Sequence, residues 1–432
     1  MINRLLLVLF LFIGQAQAAP LRIEITQGVE GALPIAVVPF AWTGDQRLQP
    51  KDNLGGIIAS DLQRSGRFKT LPENSMLAKP SKGTQVDFRD WRALNQENLV
   101  IGEVSPNGPG GFLVRFQLYD VFRGEQITGY SLATTEFDFR TTAHQIADII
   151  YETLTGEPGA FATRVAYIIE SEDKGKKSYE LMVADADGYN AQSIVVSDQP
   201  IVSPAWSPDG RKLAYVSYEN DRPSIWVQEV FTGRREKVTT VKSSSPAWSP
   251  DGRSLALTLY KDGSSDIYIM DMVRRKMRQV TRNWSIDTEA SWSPDGRELV
   301  FTSGRGGNAQ VYRISVNGGK AERLTFEGKY NARPSYSPDG KLLTLITQVG
   351  SSFRIATLDL DSGLLNVLSD GALDESPSFA PNGSMIIYAS QSRNKGVLAA
   401  VSTDGRVKQR LALQAGNVRE PVWSPYYQQE NN

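Results

Sequence analysis

Residues 204–210 read Pro-Ala-Trp-Ser-Pro-Asp-Gly, and close copies of this heptad return at 246–252, 290–296, 334–340 and 377–383, with a shortened copy at 421–425. The fifth residue of every copy is a proline, and these prolines are 42, 44, 44, 43 and 44 residues apart: Pro208, Pro250, Pro294, Pro338, Pro381 and Pro425. Each full copy is followed by an apolar, β-branched run that is typical of a buried strand. A period of about 40–45 residues with four strands is one blade of a β-propeller.

The strand types predict six blades. Residues 164–169, which read Arg-Val-Ala-Tyr-Ile-Ile, match the second strand of a blade but have no first strand before them. The last heptad copy, at 421–425, has no second strand after it. We therefore predict a ring of six blades in residues 158–432, in which the C-terminal strand completes the blade begun near Arg164. Such closure removes the free sheet edge that an open ring would expose.

Residues 34–157 carry no repeat and are typical of a small α/β domain. The predicted elements are a strand at 34–40, helices at 53–65 and 87–94, a strand at 98–104 and a hairpin over 112–137. A last helix has Thr142 as its predicted N-cap and ends at Gly156. Its His144 is expected to be an ordinary surface histidine. The predicted fold class is therefore two-domain, with a small N-terminal α/β domain followed by an all-β six-bladed β-propeller.

The N-terminus has the pattern of an export signal. Arg4 precedes an apolar run at 5–13, and small residues lead to a cleavage site after Ala18. The run is about half of the ~18 apolar residues that a membrane-spanning helix needs, so we predict a cleaved signal peptide at 1–18. Residues 19–33 then form a tail that alternates apolar and polar residues at its start. Such a tail can add an edge strand to its own protein or to a partner, and we expect the intramolecular pairing.

The composition argues against most catalytic machinery. The 47 Lys+Arg and 48 Asp+Glu leave a formal net charge of −1, which gives no sign of a nucleic-acid partner. The chain has no cysteine, which excludes thiol nucleophiles, disulfides and Cys-ligated zinc, and its single histidine argues against histidine-based triads and multi-histidine metal sites. We therefore predict no catalytic residue, no metal and no cofactor.

The propeller pattern also predicts a binding face. If the first strand of each blade runs downward, the Asp-Gly hairpins lie at the bottom of the ring and the loops between blades lie at the top. The top loops differ from blade to blade, as recognition of one asymmetric partner requires, and their mixed charge favours a protein. The candidate binding residues are Lys242, Ser244, Ser245, Thr288, Glu289, Arg333, Glu375, Arg419 and Glu420, with Asp287, Asn331 and Asp374 in the same loops.

The sequence resembles the TolB family over essentially the whole mature chain. The resemblance rests on the signal peptide, the segment at 21–25, the strand at 34–40, the turn at 185–190 and the heptad array. It implies a protein without known catalysis whose propeller binds the peptidoglycan-associated lipoprotein Pal. It also implies that the tail binds the C-terminal domain of the inner-membrane protein TolA, and that the two events are coupled. The tail residues concerned are Ala19, Pro20, Leu21, Arg22, Ile23, Glu24 and Ile25.

The same resemblance implies a periplasmic adaptor of the Tol–Pal envelope machine, which supports outer-membrane integrity and constriction at cell division. The implied partners are Pal, TolA and other outer-membrane-associated proteins, with no nucleic acid, and the protein reaches the membrane only through them. We expect a monomer. Lys242 stands where family members often have histidine, which affects single contacts rather than the site. Two alternatives stay open: an exported propeller enzyme, such as a metal-dependent lactonase, and a cell-wall carbohydrate-binding module that uses Tyr218, Tyr260 and Tyr330.

Overall fold

A computed structural model of the chain describes residues 22–27, 31–219, 222–261, 263–392, 395–412 and 416–427. It contains an N-terminal α/β domain followed by six antiparallel sheets, five with four strands and one with a fifth strand added at its edge, so the predicted fold class is confirmed. Within these ranges, no helix combines the length and the apolar character needed to cross a membrane. The predicted signal peptide and the tail residues Ala19, Pro20 and Leu21 lie outside the described residues. The first described element is strand β1 (Arg22–Gln27).

The α/β domain is one mixed sheet with helices on both faces. Its strands are β2 (Leu33–Val37), β3 (Ala41–Trp42), β4 (Phe68–Thr70), β5 (Asn98–Pro106), β6 (Gly111–Asp120) and β7 (Glu125–Thr135). They lie in the order β4-β2-β5-β6-β7, with β3 beside β5, and β2 runs parallel to β4 and β5. Helices α1 (Leu54–Arg64) and α3 (Phe139–Thr155) pack on one face around the buried Ile58 and Ile146. Helix α2 (Phe88–Ala93) packs on the other face through Trp91.

Helix α3 begins earlier than the sequence predicts. Its N-cap is Asp138, so the prediction of Thr142 as the N-cap is wrong. Thr142 lies in the first turn, buried, and its hydroxyl donates to Thr134 Oγ1 at 2.8 Å, with the carbonyl of Asp138 also within 3.1 Å. A threonine that finds such partners is stable inside a helix, although its type favours a cap. The helix ends at Gly156, whose φ of +77° suits a residue without a Cβ.

The propeller strands follow the repeat. Blade I contains β8 (Arg164–Asp173), β9 (Lys176–Asp185) and β10 (Gln192–Ser197), and blade II contains β11 (Ile201–Trp206), β12 (Lys212–Ser217), β13 (Ser224–Glu229) and β14 (Arg235–Lys237). Blade III contains β15 (Ser243–Trp248), β16 (Ser254–Lys261), β17 (Ser264–Asp271) and β18 (Met277–Gln279), and blade IV contains β19 (Asp287–Trp292), β20 (Glu298–Ser303), β21 (Gln310–Ser315) and β22 (Glu322–Arg323). Blade V contains β23 (Asn331–Tyr336), β24 (Leu342–Val349), β25 (Ser352–Asp359) and β26 (Leu365–Val367), and blade VI contains β27 (Asp374–Phe379), β28 (Met385–Ser392), β29 (Lys395–Ser402) and β30 (Lys408–Ala412).

Blade I takes its innermost strand from the end of the chain. Strand β31 (Asn417–Trp423) pairs antiparallel with β8, and it contacts the first strands of blades VI and II on either side. The Nε1 of Trp423 donates to Thr163 Oγ1 at 2.8 Å, and the amide of Arg164 donates to Ser424 Oγ at 2.9 Å. The two ends of the propeller sequence are thus joined by side chains as well as by a strand pair.

The repeated heptad has a structural role. The indole of Trp292 donates to the carbonyl of Ala247 in the preceding blade at 3.0 Å, and Trp206 makes the same contact with Val422 at 3.2 Å. In the hairpin, Ser293 Oγ donates to Asp295 Oδ1 at 2.6 Å, and that oxygen also accepts from a backbone amide. The aromatic therefore packs between blades and the Ser-Pro-Asp-Gly segment forms the turn.

The α/β domain lies at the bottom of the propeller. The Nδ2 of Asn382, in a heptad turn of blade VI, donates to the carbonyl of Pro158, in the segment that directly follows α3 of the α/β domain, at 2.9 Å. Arg64 donates to the carbonyl of Ala186, in the turn between β9 and β10, at 3.2 Å. Both turns belong to the bottom end, so these domain contacts lie opposite the loops that join the blades.

Strand β1 pairs within its own chain. It runs antiparallel to β30, with Arg22 opposite Ala412 and Ile25 opposite Gln409, and so becomes a fifth strand at the outer edge of blade VI. The tail therefore lies on the propeller rather than on the adjacent α/β sheet. Gln409 of β30 also donates through its side chain to the carbonyl of Arg64 in α1. The strand that holds the tail thus also contacts the α/β domain.

Candidate functional site

A ring of six residues with left-handed backbone lies in the innermost strands. Each residue is non-glycine, has a φ between +49° and +58°, and sits in a bulge where the register with the second strand shifts. The channel ring consists of Ser203, Ser245, Glu289, Arg333, Ser376 and Glu420. A left-handed non-glycine residue costs about 1–3 kcal/mol, and such residues cluster at functional sites. Because the strain recurs in all six blades, we take this level of the channel as the candidate functional site.

Members of the channel ring contact one another across the axis. The guanidinium of Arg333, in blade V, donates to Ser376 Oγ in blade VI and to Glu420 Oε2 in blade I, the latter at 3.1 Å. Its Nε lies 3.5 Å from Glu289 Oε1 in blade IV. Glu420 Oε2 also accepts from the amide of Ser203 in blade II at 2.5 Å. These contacts show that the bulges direct the side chains into the channel, where Arg333 links three other blades.

The charge at this level is mixed but mostly negative. Burial alone would lower the pKa of Arg333, but Glu420 and Glu289 outweigh burial and raise it, so the guanidinium stays charged. Burial raises the pKa of Glu375, with Glu420 adding to the rise and Arg333 opposing it. One arginine among three glutamates makes a polar surface that suits a protein partner and does not suit an anion.

The structure brings the predicted binding residues together at the top of the channel. Ser245, Glu289, Arg333 and Glu420 belong to the channel ring, the residues Ser244, Thr288, Glu375 and Arg419 immediately precede ring positions, and Lys242 lies in the loop before blade III. Glu375 and Arg419 also line a cleft of about 80 Å³ between blades VI and I. The loops that the repeat predicted to be variable therefore border one opening.

Sequence reasoning missed two ring residues and included three structural ones. Ser203 and Ser376 lie five positions before the second proline of their heptads, as the other ring residues do, so aligning the repeats would have found them. Asp287, Asn331 and Asp374 are fully buried. Asp287, for example, accepts from Ser303 Oγ at 2.6 Å within its own blade. These three residues shape the loops from inside and offer no surface to a partner.

His144 is buried at the interface between the domains, so the prediction of a surface histidine is wrong. Its Nδ1 lies 2.6 Å from Asp61 Oδ2 in α1, and its Nε2 lies 3.7 Å from Asp187 Oδ2 in the β9–β10 turn. Arg64 pairs with Asp61 at 3.0 Å, and Arg140 pairs with Asp187 at 2.5 Å. Burial alone would lower the pKa of His144, but Asp61 and Asp187 outweigh burial and raise it. His144 thus lies between carboxylates of the two domains.

Part of this cluster has the spacing of metal ligands. Among the described residues, His144, Asp185 and Asp187 bring one ligand atom each within 4.8 Å of one another. However, Asp187 already forms an ion pair with Arg140. A metal ion also binds only the neutral form of an imidazole. A proton on His144 together with Arg64 and Arg140 balances the three carboxylates Asp61, Asp185 and Asp187. The charges therefore favour a proton over a divalent ion.

Comparison with known proteins identifies the family. The model of the TolB amino-terminal domain matches residues 21–127, and that of the TolB beta propeller domain matches residues 151–427. The chain belongs to the TolB family. It is 56% identical over 426 residues to the Tol-Pal system protein TolB of Thioalkalivibrio sulfidiphilus, covering 98% of both chains, and 58% identical over 409 residues to that of Methylococcus capsulatus, covering 94% of this chain and 95% of the relative. The crystal structure of TolB from Acinetobacter baumannii matches with 39% identity and a TM-score of 0.86, covering 94% of this chain and all of that one.

Membership of the TolB family makes the chain a component of the Tol-Pal system. The resemblance noted from the sequence is therefore confirmed, and partners of the chain are to be sought within that system. TolB is not an enzyme family, which directs attention to the channel ring and the top loops as binding surfaces.

Proposed function

We propose that the chain is a periplasmic adaptor that binds Pal through the top end of its propeller and TolA through its N-terminal tail, and so supports outer-membrane integrity and cell constriction. The observation that carries this proposal is the position of the channel ring. Residues with strained backbone, whose side chains form hydrogen bonds and ion pairs with one another, border the top opening. The α/β domain lies at the other end. A protein loop entering this opening meets carboxylates, a guanidinium and hydroxyls from several blades at once.

Reversing the charge beside the channel ring tests the Pal site. In Thr288→Arg/Glu289→Arg, the new side chains fill the opening and remove the carboxylate that pairs with Arg333. We expect binding to the purified soluble domain of Pal to fall at least 100-fold in calorimetric titration, since the two arginines obstruct the opening and reverse its charge, and a charge mismatch at an interface costs several kcal/mol.

A matched control separates this effect from a general effect of changing the protein's charge. Glu322→Arg makes the same reversal in the same blade, on the exposed outer strand β22. We expect this variant to bind Pal within twofold of the wild type. Undiminished binding by the double variant, with the fold intact by circular dichroism, would move Pal away from the top end.

The tail assignment rests on how β1 is held. Blades I to V are complete with four strands each, and blade VI is equally complete without β1. An added edge strand is held mainly by backbone hydrogen bonds along one side, so it can exchange its own β30 for the edge of a partner sheet. Release of β1 would therefore leave the propeller whole and offer a strand to TolA.

Deleting residues 19–31 should abolish binding to the purified C-terminal domain of TolA. Since β27 to β30 still form a complete blade, we expect the melting temperature to change by only a few degrees and Pal binding to persist, which serves as the internal control. The measurements are a pull-down with each partner and a thermal melt. Retention of TolA by the shortened chain would place the TolA site elsewhere.

A further inference from the structure

The top of blade IV exposes three large apolar side chains. Trp284 is 83% exposed and Ile286 62% exposed in the loop before β19, and Phe326 is 75% exposed in the loop after β22. Most exposed apolar residues on a protein need no explanation, but a tryptophan held almost entirely in water is unusual and marks a binding surface. We call these three residues the crown of blade IV.

The loop that carries Trp284 is held firmly. The amide of Asn283 donates to Asp266 Oδ1 at 3.0 Å, and the amide of Ser285 donates to Asn283 Oδ1 at 2.9 Å. Thr281 Oγ1 donates to the same Asp266 oxygen at 3.3 Å. Because the backbone on both sides of Trp284 is already ordered, fixing this side chain against a partner loses little additional entropy.

A glycine-rich loop separates the two sides of the crown. Residues 304–307, Gly-Arg-Gly-Gly, join β20 to β21. A Cβ on Gly304 would meet Ser285, beside Trp284, and a Cβ on Gly306 would approach Arg323, whose guanidinium lies 5.4 Å from the ring centre of Phe326. The glycine-rich loop therefore lies next to both loops that carry the crown and adds no side chain at Gly304 or Gly306.

Charge and position indicate what covers the crown. The exposed Arg282 and Lys329 lie in the same two loops, against the single carboxylate of Glu327, so the surroundings are net positive. The segment that displays Trp284 also reaches the channel, because Thr288 and Glu289 follow within five residues. A partner seated over the opening therefore covers the crown as well.

We propose that the crown of blade IV anchors the protein partner of the top end, by inserting Trp284 and Phe326 into an apolar depression of that partner that is bordered by carboxylates. This inference rests on the proposed function and deepens it. The channel ring supplies polar contacts at the axis, whereas the crown supplies the buried aromatic contacts on which the affinity of a protein interface mostly depends.

The test is calorimetric titration of the full mature chain with the soluble domain of Pal. Trp284→Ala should weaken binding at least ~30-fold and Phe326→Ala about 10-fold, as is typical of hot-spot aromatics. Phe137→Ala is the matched control, because Phe137 is 90% exposed but lies in the α/β domain; it should bind within twofold of the wild type. All three variants should keep the wild-type melting temperature, since the side chains removed are exposed.

The outcomes separate the crown from the proposed function. If Trp284→Ala binds Pal like the wild type while Thr288→Arg/Glu289→Arg does not, the crown inference is overturned and the Pal site stands. If the wild type itself does not bind Pal, both are overturned. If the wild type sediments with purified peptidoglycan and Trp284→Ala loses that property without losing Pal, the crown is a glycan site, and the inference is likewise overturned.

Discussion

Deleting residues 420–432 should lower the melting temperature by at least about 15 °C or prevent the propeller from folding. The deletion removes Trp423, whose loss from a packed site costs ~3–5 kcal/mol. It also removes partners of Thr163, Ser378, Arg164, Ser203 and Arg333. Hydrogen bonds contribute ~1 kcal/mol each, so the total approaches the ~5–15 kcal/mol by which a domain is stable. Calorimetry or circular dichroism during heating measures the change.

A shorter deletion provides the control. Removing residues 428–432 leaves β31 whole, and we expect the melting temperature to stay within ~2 °C of the wild type. A synthetic peptide covering residues 416–427 should partly restore the stability lost in the long deletion, because it supplies the missing second half of β31 and the indole that bonds to Thr163. If the long deletion kept the wild-type melting temperature, blade I would not need the second half of its innermost strand or the Trp423 contacts.

The propeller was predictable from the repeat because the features that form a blade are local in the sequence. The spacing of the heptads sets the length of a blade, and the turn residues sit where the hairpins need them. Even the channel ring was within reach, since Ser203 and Ser376 share the repeat position of Glu289. What the repeat could not show is that Arg333 bonds to Glu420 across the channel, because that contact depends on blades V and I meeting around a closed ring.

The α/β domain was less predictable where tertiary contacts determine the secondary structure or the burial of a residue. The elements with clear periodicity, such as α1 and the β6–β7 hairpin, were predicted within a few residues. The two-residue β3 and the three-residue β4 are too short to show a pattern. His144 looked like a surface residue because it lies at the interface with the propeller, where Asp187 of the other domain faces its Nε2. A polar residue in a helix gives no local sign of a partner supplied by a distant turn.

Contacts between the domains link the surroundings of His144 to the strand that holds the tail. Arg64 pairs with Asp61 beside His144, and the carbonyl of the same Arg64 accepts from Gln409 of β30, the strand that holds β1. Helix α1 therefore contacts both the His144 cluster and the strand on which the tail lies. His144 joins the two sides of this contact, because its two nitrogens face carboxylates from different domains.

Replacing His144 by asparagine should destabilise the protein by about 3 kcal/mol at pH 5.5, and the deficit should shrink as the pH rises. The magnitude is the low end of the ~3–5 kcal/mol cost of breaking a buried charge pair, because Asp61 keeps Arg64. The sign follows from linkage. The pKa of His144 is raised above the ~6.5 of the unfolded chain, so its contribution is complete below about pH 6.5 and is lost as the pH rises through the higher folded value.

Two comparisons isolate this titration. Thr142→Val removes a buried hydroxyl from the same helix that does not titrate, so its deficit should stay constant with pH. Burial also raises the pKa of Asp148 to about 6, but Asp148 is present in every variant and cancels in the differences. Urea unfolding of the three proteins from pH 5.5 to 9 gives the free energies. If the His144→Asn deficit were constant over that range, the histidine would not hold the proton that bridges the domains, and stabilisation by added zinc would reassign its Nε2 to a metal shared with Asp185 and Asp187.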